Sequence, residues 1–154
     1  MNITVNGVKH DVACEDGDRL SDVLRGELGL IGVRVSCAEG ECGSCTVILN
    51  DQPVTSCLVL ARQAEGATIT TVEGIGTHDR LHAIQEAFVE QQAFQCAFCT
   101  PGFIMSAYAF LKENDNPTEE EASDAVAGNI CRCGSHPYIV KAVVAAAQKI
   151  RERV

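Results

Sequence analysis

The chain has 154 residues, 46% of them hydrophobic and 21% charged, with no Trp and only 2 Tyr and 5 Phe. This balance describes a soluble globular protein of one ordinary domain or two small ones, with a core of Val, Ile, Leu and Ala. A formal net charge of −9 argues against a nucleic-acid partner, whose phosphates demand Lys and Arg, and no apolar run approaches the roughly 20 residues of a membrane span.

The first residues, MNITVNGVKHDVACEDGD, lack the basic start and long apolar stretch of an export signal, which places the chain in the cytoplasm. "NITVNG" alternates and ends in an Asn-Gly turn signal, and "VKHDVAC" reads as its paired strand. Residues 18–30 set Leu20, Val23, Leu24 and Leu28 at helical spacing, with Gly29 as the stop. A cysteine-rich loop follows, then "CTVILN", a turn at "NDQP", a strand "VTSCLVLAR" and a last strand "ATITTVEG". A hairpin, a helix and returning strands point to a β-grasp-like α+β domain over residues 1–75.

The glycine-containing "GIGTHD", residues 74–79, marks the boundary, and residues 76–154 read as helical. "LHAIQEAFVEQQ" carries Leu81, Ile84, Phe88 and Val89 on one stripe. "PGFIMSAYAFLKEN" has Pro101 near a helix start, where its missing N–H costs nothing. "TEEEASDAVAGN" opens with Thr118 and Glu121 at capping-box spacing. The last helix begins at Pro137 and stacks Ile139, Val140, Val143, Val144, Ala147 and Ile150. Four helices with short connections predict an antiparallel four-helix bundle.

The chain has 9 cysteines. Stable disulfides are rare in a reducing compartment, so clustered thiols there point to metal binding or redox chemistry. Cys37, Cys42, Cys45 and Cys57 read C-x4-C-x2-C-x11-C, and the first three match the plant-type [2Fe–2S] spacing. Three thiolates converging on a small rhomb need a tightly wrapped loop, which Gly40 and Gly43 permit, and the fourth arrives across a hairpin. Structural zinc is a poorer match, since it favours paired C-x2–4-C knuckles. Cys96 and Cys99 in "QCAFCTPG", with Cys131 and Cys133 in "NICRCG", form a second set, each pair in a turn leading into a helix. Zinc remains open for this set on spacing alone. Cys14 reads as a small apolar core residue.

"CAEGECGSCTV", "SCLVLA", "QCAFCTPGF" and "NICRCG" together resemble the iron–sulfur (2Fe-2S) small subunit of the molybdenum hydroxylases, the xanthine oxidase/aldehyde oxidase family, over nearly the whole chain. The resemblance implies a plant-ferredoxin-like β-grasp domain holding one [2Fe-2S] cluster and a four-helix domain holding a second. It implies a large subunit carrying a molybdenum–pterin cofactor and a medium subunit carrying FAD, in a heterotrimer or a dimer of heterotrimers. Cys96, Cys99, Cys131 and Cys133 would hold the cluster nearer molybdenum, and Cys37, Cys42, Cys45 and Cys57 the one nearer flavin. Gln95 would hydrogen-bond the pterin cofactor, with the Cys133 sulfur close to its amino group. Electrons would run from molybdenum through both clusters to FAD. Ala97 and Phe98 stand where many relatives have Gly-Tyr. "SHPY" after "CRCG" is similar to subunits serving N-heteroaromatic hydroxylases, so the substrate would be an N-heteroaromatic compound or an aldehyde.

The chain shows no substrate chemistry of its own. "GIGTHD" lacks the third glycine of a dinucleotide fingerprint. His78 and His82 read as an exposed pair at a helix start, and Arg132 as either a modulator of cluster potential or a surface side chain. An electron wire without terminals implies partners. Two other readings are a free-standing two-cluster ferredoxin carrier and a zinc-stabilised interaction module.

Overall fold

The computed structural model describes residues 1–153 as a mixed α/β protein with a five-stranded sheet and five α-helices. β1 (Asn2–Val5) and β2 (Val8–Asp11) pair antiparallel with Val5 opposite Val8, so two residues make the turn. These are Asn6 and Gly7, at φ 51° and 82°, the left-handed pair that a tight hairpin requires. α1 (Leu20–Gly26) follows, with Leu20, Val23 and Leu24 buried against the sheet core. It is shorter than its apolar spacing predicts, because Leu28 and Leu30 turn back to bond the carbonyls of Val23 and Leu24.

β3 (Thr46–Leu49) and β4 (Gln52–Thr55) form a second hairpin, its turn made by Asn50 and Asp51 at φ 47° and 66°. β5 (Thr68–Thr70) pairs parallel to β1 and antiparallel to β3, giving the order β2-β1-β5-β3-β4. The expected strand through "VTSCLVLAR" stops at Thr55. Ser56 adds one more rung to the hairpin ladder, donating its backbone N–H at 3.3 Å and its hydroxyl at 2.7 Å to the Cys45 carbonyl. The chain then passes through 3-10 turns at Ser56–Leu58 and Ala61–Ala64.

Four helices make up the rest: α2 (Ala83–Glu90), α3 (Thr100–Glu113), α4 (Glu119–Ala125) and α5 (His136–Glu152). Ile84, Phe88, Phe103, Val126, Ile139 and Val143 share a second core, against which Val72 and Ile75 also pack. Val89, expected on the apolar stripe of α2, is exposed. The helices do not pack evenly. α5 lies chiefly along α2, whereas α3 also lies across β3 and β4 and so joins the two cores. Thr118 and Glu121 form the expected capping box at α4, with Thr118 Oγ1 accepting from the Glu121 N–H at 3.2 Å and Glu121 Oε2 accepting from the Thr118 N–H at 2.8 Å. No helix among the described residues is long and apolar enough to cross a membrane.

Candidate iron–sulfur sites

Every cysteine carries a free thiol, and eight of them gather into the two sets expected from their spacing. In the first set the contacts run by pairs, Cys37 with Cys42 and Cys45 with Cys57, with Cys37 close enough to Cys57 to act on its charge. Cys45 and Cys57 are buried in the sheet core, at the two ends of the β3–β4 hairpin. Cys37 and Cys42 lie half-buried on the wrapped loop.

The loop turns its backbone N–H groups onto sulfur. Glu39 N–H donates to Cys37 Sγ at 3.4 Å. This donor, with those of Cys42 and Glu41 and the Cys42 thiol, lowers the Cys37 thiol to about 7. Burial pushes Cys57 up to about 11, helped by the adjacent Cys45 and opposed by the Gly40 N–H. Ala38, Gly40 and Gly43 all have positive φ, the local price of bending a chain tightly enough to aim successive amides inward.

The second set is more open. Cys96 is exposed, and Cys99, Cys131 and Cys133 are half-buried. Cys96 and Cys133 stand 3.6 Å apart, sulfur to sulfur. Two metal–thiolate bonds of about 2.3 Å meeting at a tetrahedral centre hold their sulfurs at about this separation. Cys99 pairs with Cys131. The Phe98 N–H, with the Cys133 thiol, lowers Cys96. Burial opposes ionisation of Cys131, but the N–H groups of Ser135 and Cys133 and the Cys99 thiol outweigh it, and its value is lowered. Burial raises Cys99 to about 12, with the neighbouring Cys131 acting in the same direction. At Cys133 the Cys96 backbone favours the thiolate, yet the Cys96 thiol, burial and nearby sulfurs prevail and raise it.

Among the described residues no group of three or more His, Cys, Asp or Glu side chains converges as one ion would require. A two-iron rhomb asks for less, two thiolates at each metal, and pairing is the arrangement both sets adopt. The two buried side-chain polar atoms without a partner among the described residues are Thr100 Oγ1 and Arg34 Nε. Thr100 directly follows Cys99, and Arg34 lies over the Phe98 ring, 5.8 Å from its centroid. Thr100 thus adjoins a cysteine of the second set and Arg34 a residue between two of them, where a bound sulfur-rich anion would supply acceptors.

Gln95 sits next to Cys96, exposed, with its Nε2 donating to the Cys133 carbonyl at 2.7 Å, so it ties the two loops of the second set together. Phe98, Ile130 and Arg132 are exposed and line one cleft with Cys96, Cys99 and Cys133, and Phe94 and Tyr138 are exposed as well. Cys14 is half-buried against the sheet core, its sulfur 3.9 Å from that of Met1. His78 is exposed as expected, but His82 is not. It is half-buried and caps α2, Nδ1 accepting from the Ile84 N–H at 3.2 Å, with its ring edge-on to Tyr108. Asn129 escaped sequence reasoning altogether. It is buried between the two cysteine loops and donates to the Gly43 carbonyl at 2.9 Å. Its place just before "ICRC" was the available signal.

Residues 3–71 match the "2Fe-2S iron-sulfur cluster binding domain" family and residues 71–144 the "[2Fe-2S] binding domain" family. The chain is 45% identical over 143 residues to the nicotinate dehydrogenase small FeS subunit of Eubacterium barkeri, covering 93% of this chain and 91% of that one. Quinoline 2-oxidoreductase from Pseudomonas putida 86 has a chain that superposes with a TM-score of 0.94 at 39% identity, covering 99% of this chain and 95% of that one. The aldehyde oxidoreductase of Desulfovibrio desulfuricans superposes with a TM-score of 0.94 at 45% identity, but here 98% of this chain spans only 17% of the other. On these matches the chain belongs to the iron–sulfur (2Fe-2S) small subunits of the molybdenum hydroxylase family.

Proposed function

We propose that this electron-transfer subunit holds one [2Fe-2S] cluster on Cys37, Cys42, Cys45 and Cys57 and another on Cys96, Cys99, Cys131 and Cys133. The observation that carries the reading is the gathering of eight free thiols into two sets, paired two by two, with backbone N–H groups turned toward their sulfurs. A bound [2Fe-2S] cluster supplies one-electron chemistry. The chain's own residues ligate it, and donors such as the Glu39 and Gly40 N–H groups stabilise negative charge on sulfur, which sets the reduction potential.

The domain assignment follows the same division: a β-grasp domain over residues 1–75 and a four-helix domain over 76–154. Gln95 and Cys133 are assigned to the contact with a molybdenum–pterin cofactor on a large subunit, and the first set faces FAD or another acceptor on a medium subunit. The exposed Phe98 and Ile130, which line one cleft with Cys96, Cys99 and Cys133, support a fixed partner over a freely diffusing carrier, since apolar side chains exposed together beside a site suit an interface. The assembly is a heterotrimer or its dimer, and nine free thiols suit the cytoplasm. Relatives named for nicotinate, quinoline and aldehyde oxidation support an N-heteroaromatic or aldehyde substrate.

The test is metal analysis of the tagged chain drawn gently from its native host. About four irons per chain, as two [2Fe-2S] clusters require, with molybdenum co-purifying, is the expected result. Zinc in place of iron would overturn the reading, and iron without molybdenum or partner chains would return it to a free carrier.

A further inference from the structure

The two cysteine loops are fastened together at a buried side chain that ligation does not explain. Asn129 is 6% exposed and stands two residues before Cys131. Its Nδ2 donates to the Gly43 carbonyl at 2.9 Å, while its Oδ1 accepts from Ser106 Oγ of α3 at 2.7 Å. The next residue repeats the link through the backbone, the Ile130 N–H donating to the Cys42 carbonyl at 3.0 Å. The junction has no slack. A Cβ on Gly43 would come to 2.5 Å from Asn129 Nδ2 and 2.6 Å from the Gly128 carbonyl. The Gly43 carbonyl is also held by the Thr46 N–H at 3.1 Å and the Thr46 hydroxyl at 2.7 Å.

A buried amide engaged at both ends specifies one arrangement of its neighbours, because any other leaves donor or acceptor unpaired. Here the neighbours are the loops that carry Cys42 and Cys131. From Cys42 to Cys131 the route crosses one hydrogen bond, Cys42 carbonyl to Ile130 N–H, and otherwise follows covalent bonds. We propose that Asn129 is a positioning residue for electron passage between the two centres. By gripping Gly43 and Ser106 it seats the Ile130 amide on the Cys42 carbonyl and fixes how the two loops face each other. The proposal rests on the ligand sets given under Proposed function. One electron crosses at a time, and no bond is made or broken.

The test uses the intact complex with Asn129→Ala and, separately, Ser106→Ala. Iron per chain, the magnetic splitting between the two fully reduced clusters in EPR, and hydrogen exchange at the Ile130 amide are measured. Asn129→Ala is expected to keep both cluster signals, change their mutual splitting and speed Ile130 exchange about tenfold, the factor of one lost hydrogen bond. Ser106→Ala should move both readouts the same way by less. A merely structural role lowers stability and leaves the splitting alone, so unchanged splitting with both clusters present overturns the proposal. Should Asn129→Ala fail to accumulate, unchanged splitting in Ser106→Ala overturns it equally. In the wild type the Ile130 amide should be as protected as the core of α3, and exchange at the rate of an open loop would also overturn it. That last measurement needs no iron, so it separates failure of the grip from failure of the cluster assignment.

Discussion

Gly102 of α3 packs directly on Gly43 of the first cysteine loop: a Cβ on Gly102 would stand 2.9 Å from Ser44 Cα and nearer still to the Gly43 carbonyl oxygen. The obstacle is backbone on a loop already held by Asn129 and Thr46, so it cannot swing aside as a flexible side chain does. Gly102→Ala should therefore cost about 1–3 kcal/mol, as overpacking does, and lower the midpoint of thermal unfolding by several degrees. An unchanged midpoint would mean that the loop yields freely.

Ala97 offers the opposite case. It sits between Cys96 and Phe98 at φ +59°, a left-handed conformation that costs a non-glycine residue about 1–2 kcal/mol. Glycine removes that strain but adds freedom to the unfolded chain, which returns about 0.4–1 kcal/mol. Ala97→Gly is expected to raise stability by up to about 1.5 kcal/mol, read by thermal unfolding. A drop would show that the methyl group makes contacts worth more than the strain.

At α4, Thr118→Ala should cost about 1 kcal/mol, the usual worth of a cap. The Thr118 N–H and hydroxyl hold the Glu121 carboxyl below the usual carboxylate range. A lowered folded value stabilises the protein above the ordinary carboxylate range and is lost as pH falls through that lowered value. Unfolding measured across the acid range should show a shallower pH dependence in the variant, and equal slopes would remove Glu121 as the cause.

His82 should titrate below 6.5, because burial and Arg153 disfavour its charged form more than Glu86 favours it. The unfolded chain then binds the proton more readily, so stability is full above about 6.5 and declines as pH drops below it. Protonation also removes the Nδ1 acceptor that caps α2. Ring titration followed by NMR checks the midpoint, and His82→Asn, which keeps a cap, should flatten the decline. A midpoint at or above 6.5 would contradict this account.

Cys42→Ser should remove only the cluster of the sheet half, and Cys131→Ser only that of the helical half, because each set draws its four thiols from its own loops. Iron analysis and EPR of each variant should show half the iron and one of the two signals. Loss of both signals from either change would mean that the sites are not independent.

The sequence announced most clearly what depends on near neighbours. Asn6-Gly7 gave the first hairpin, Thr118 and Glu121 the cap, and the cysteine spacings the two sets, since each is a short-range rule of backbone or ligand geometry. What depended on contact across the fold stayed hidden. "VTSCLVLAR" has strand composition throughout, yet after the rung from Ser56 to Cys45 the chain leaves the sheet through 3-10 turns. His82 looked like an exposed histidine until α3 brought Tyr108 beside it. Asn129 has no periodicity to betray it, because its partners lie 23 and 86 positions away.

The β3–β4 hairpin gives the last cysteine spacing of the first set a meaning as a length. Cys45 immediately precedes β3, Ser56 closes back on it, and Cys57 is the next residue. The interval between those two thiols is thus the contour of one hairpin, two paired strands and a two-residue tip. Such a ruler can grow or shrink at the tip by whole cross-strand pairs while its root stays in register. An unpaired insertion within either strand would shift every later residue to the opposite face and turn Cys57 away from Cys45. The tip is therefore where the distance in sequence can vary, by paired residues or by a longer loop, while the root that seats Cys57 beside Cys45 stays as it is.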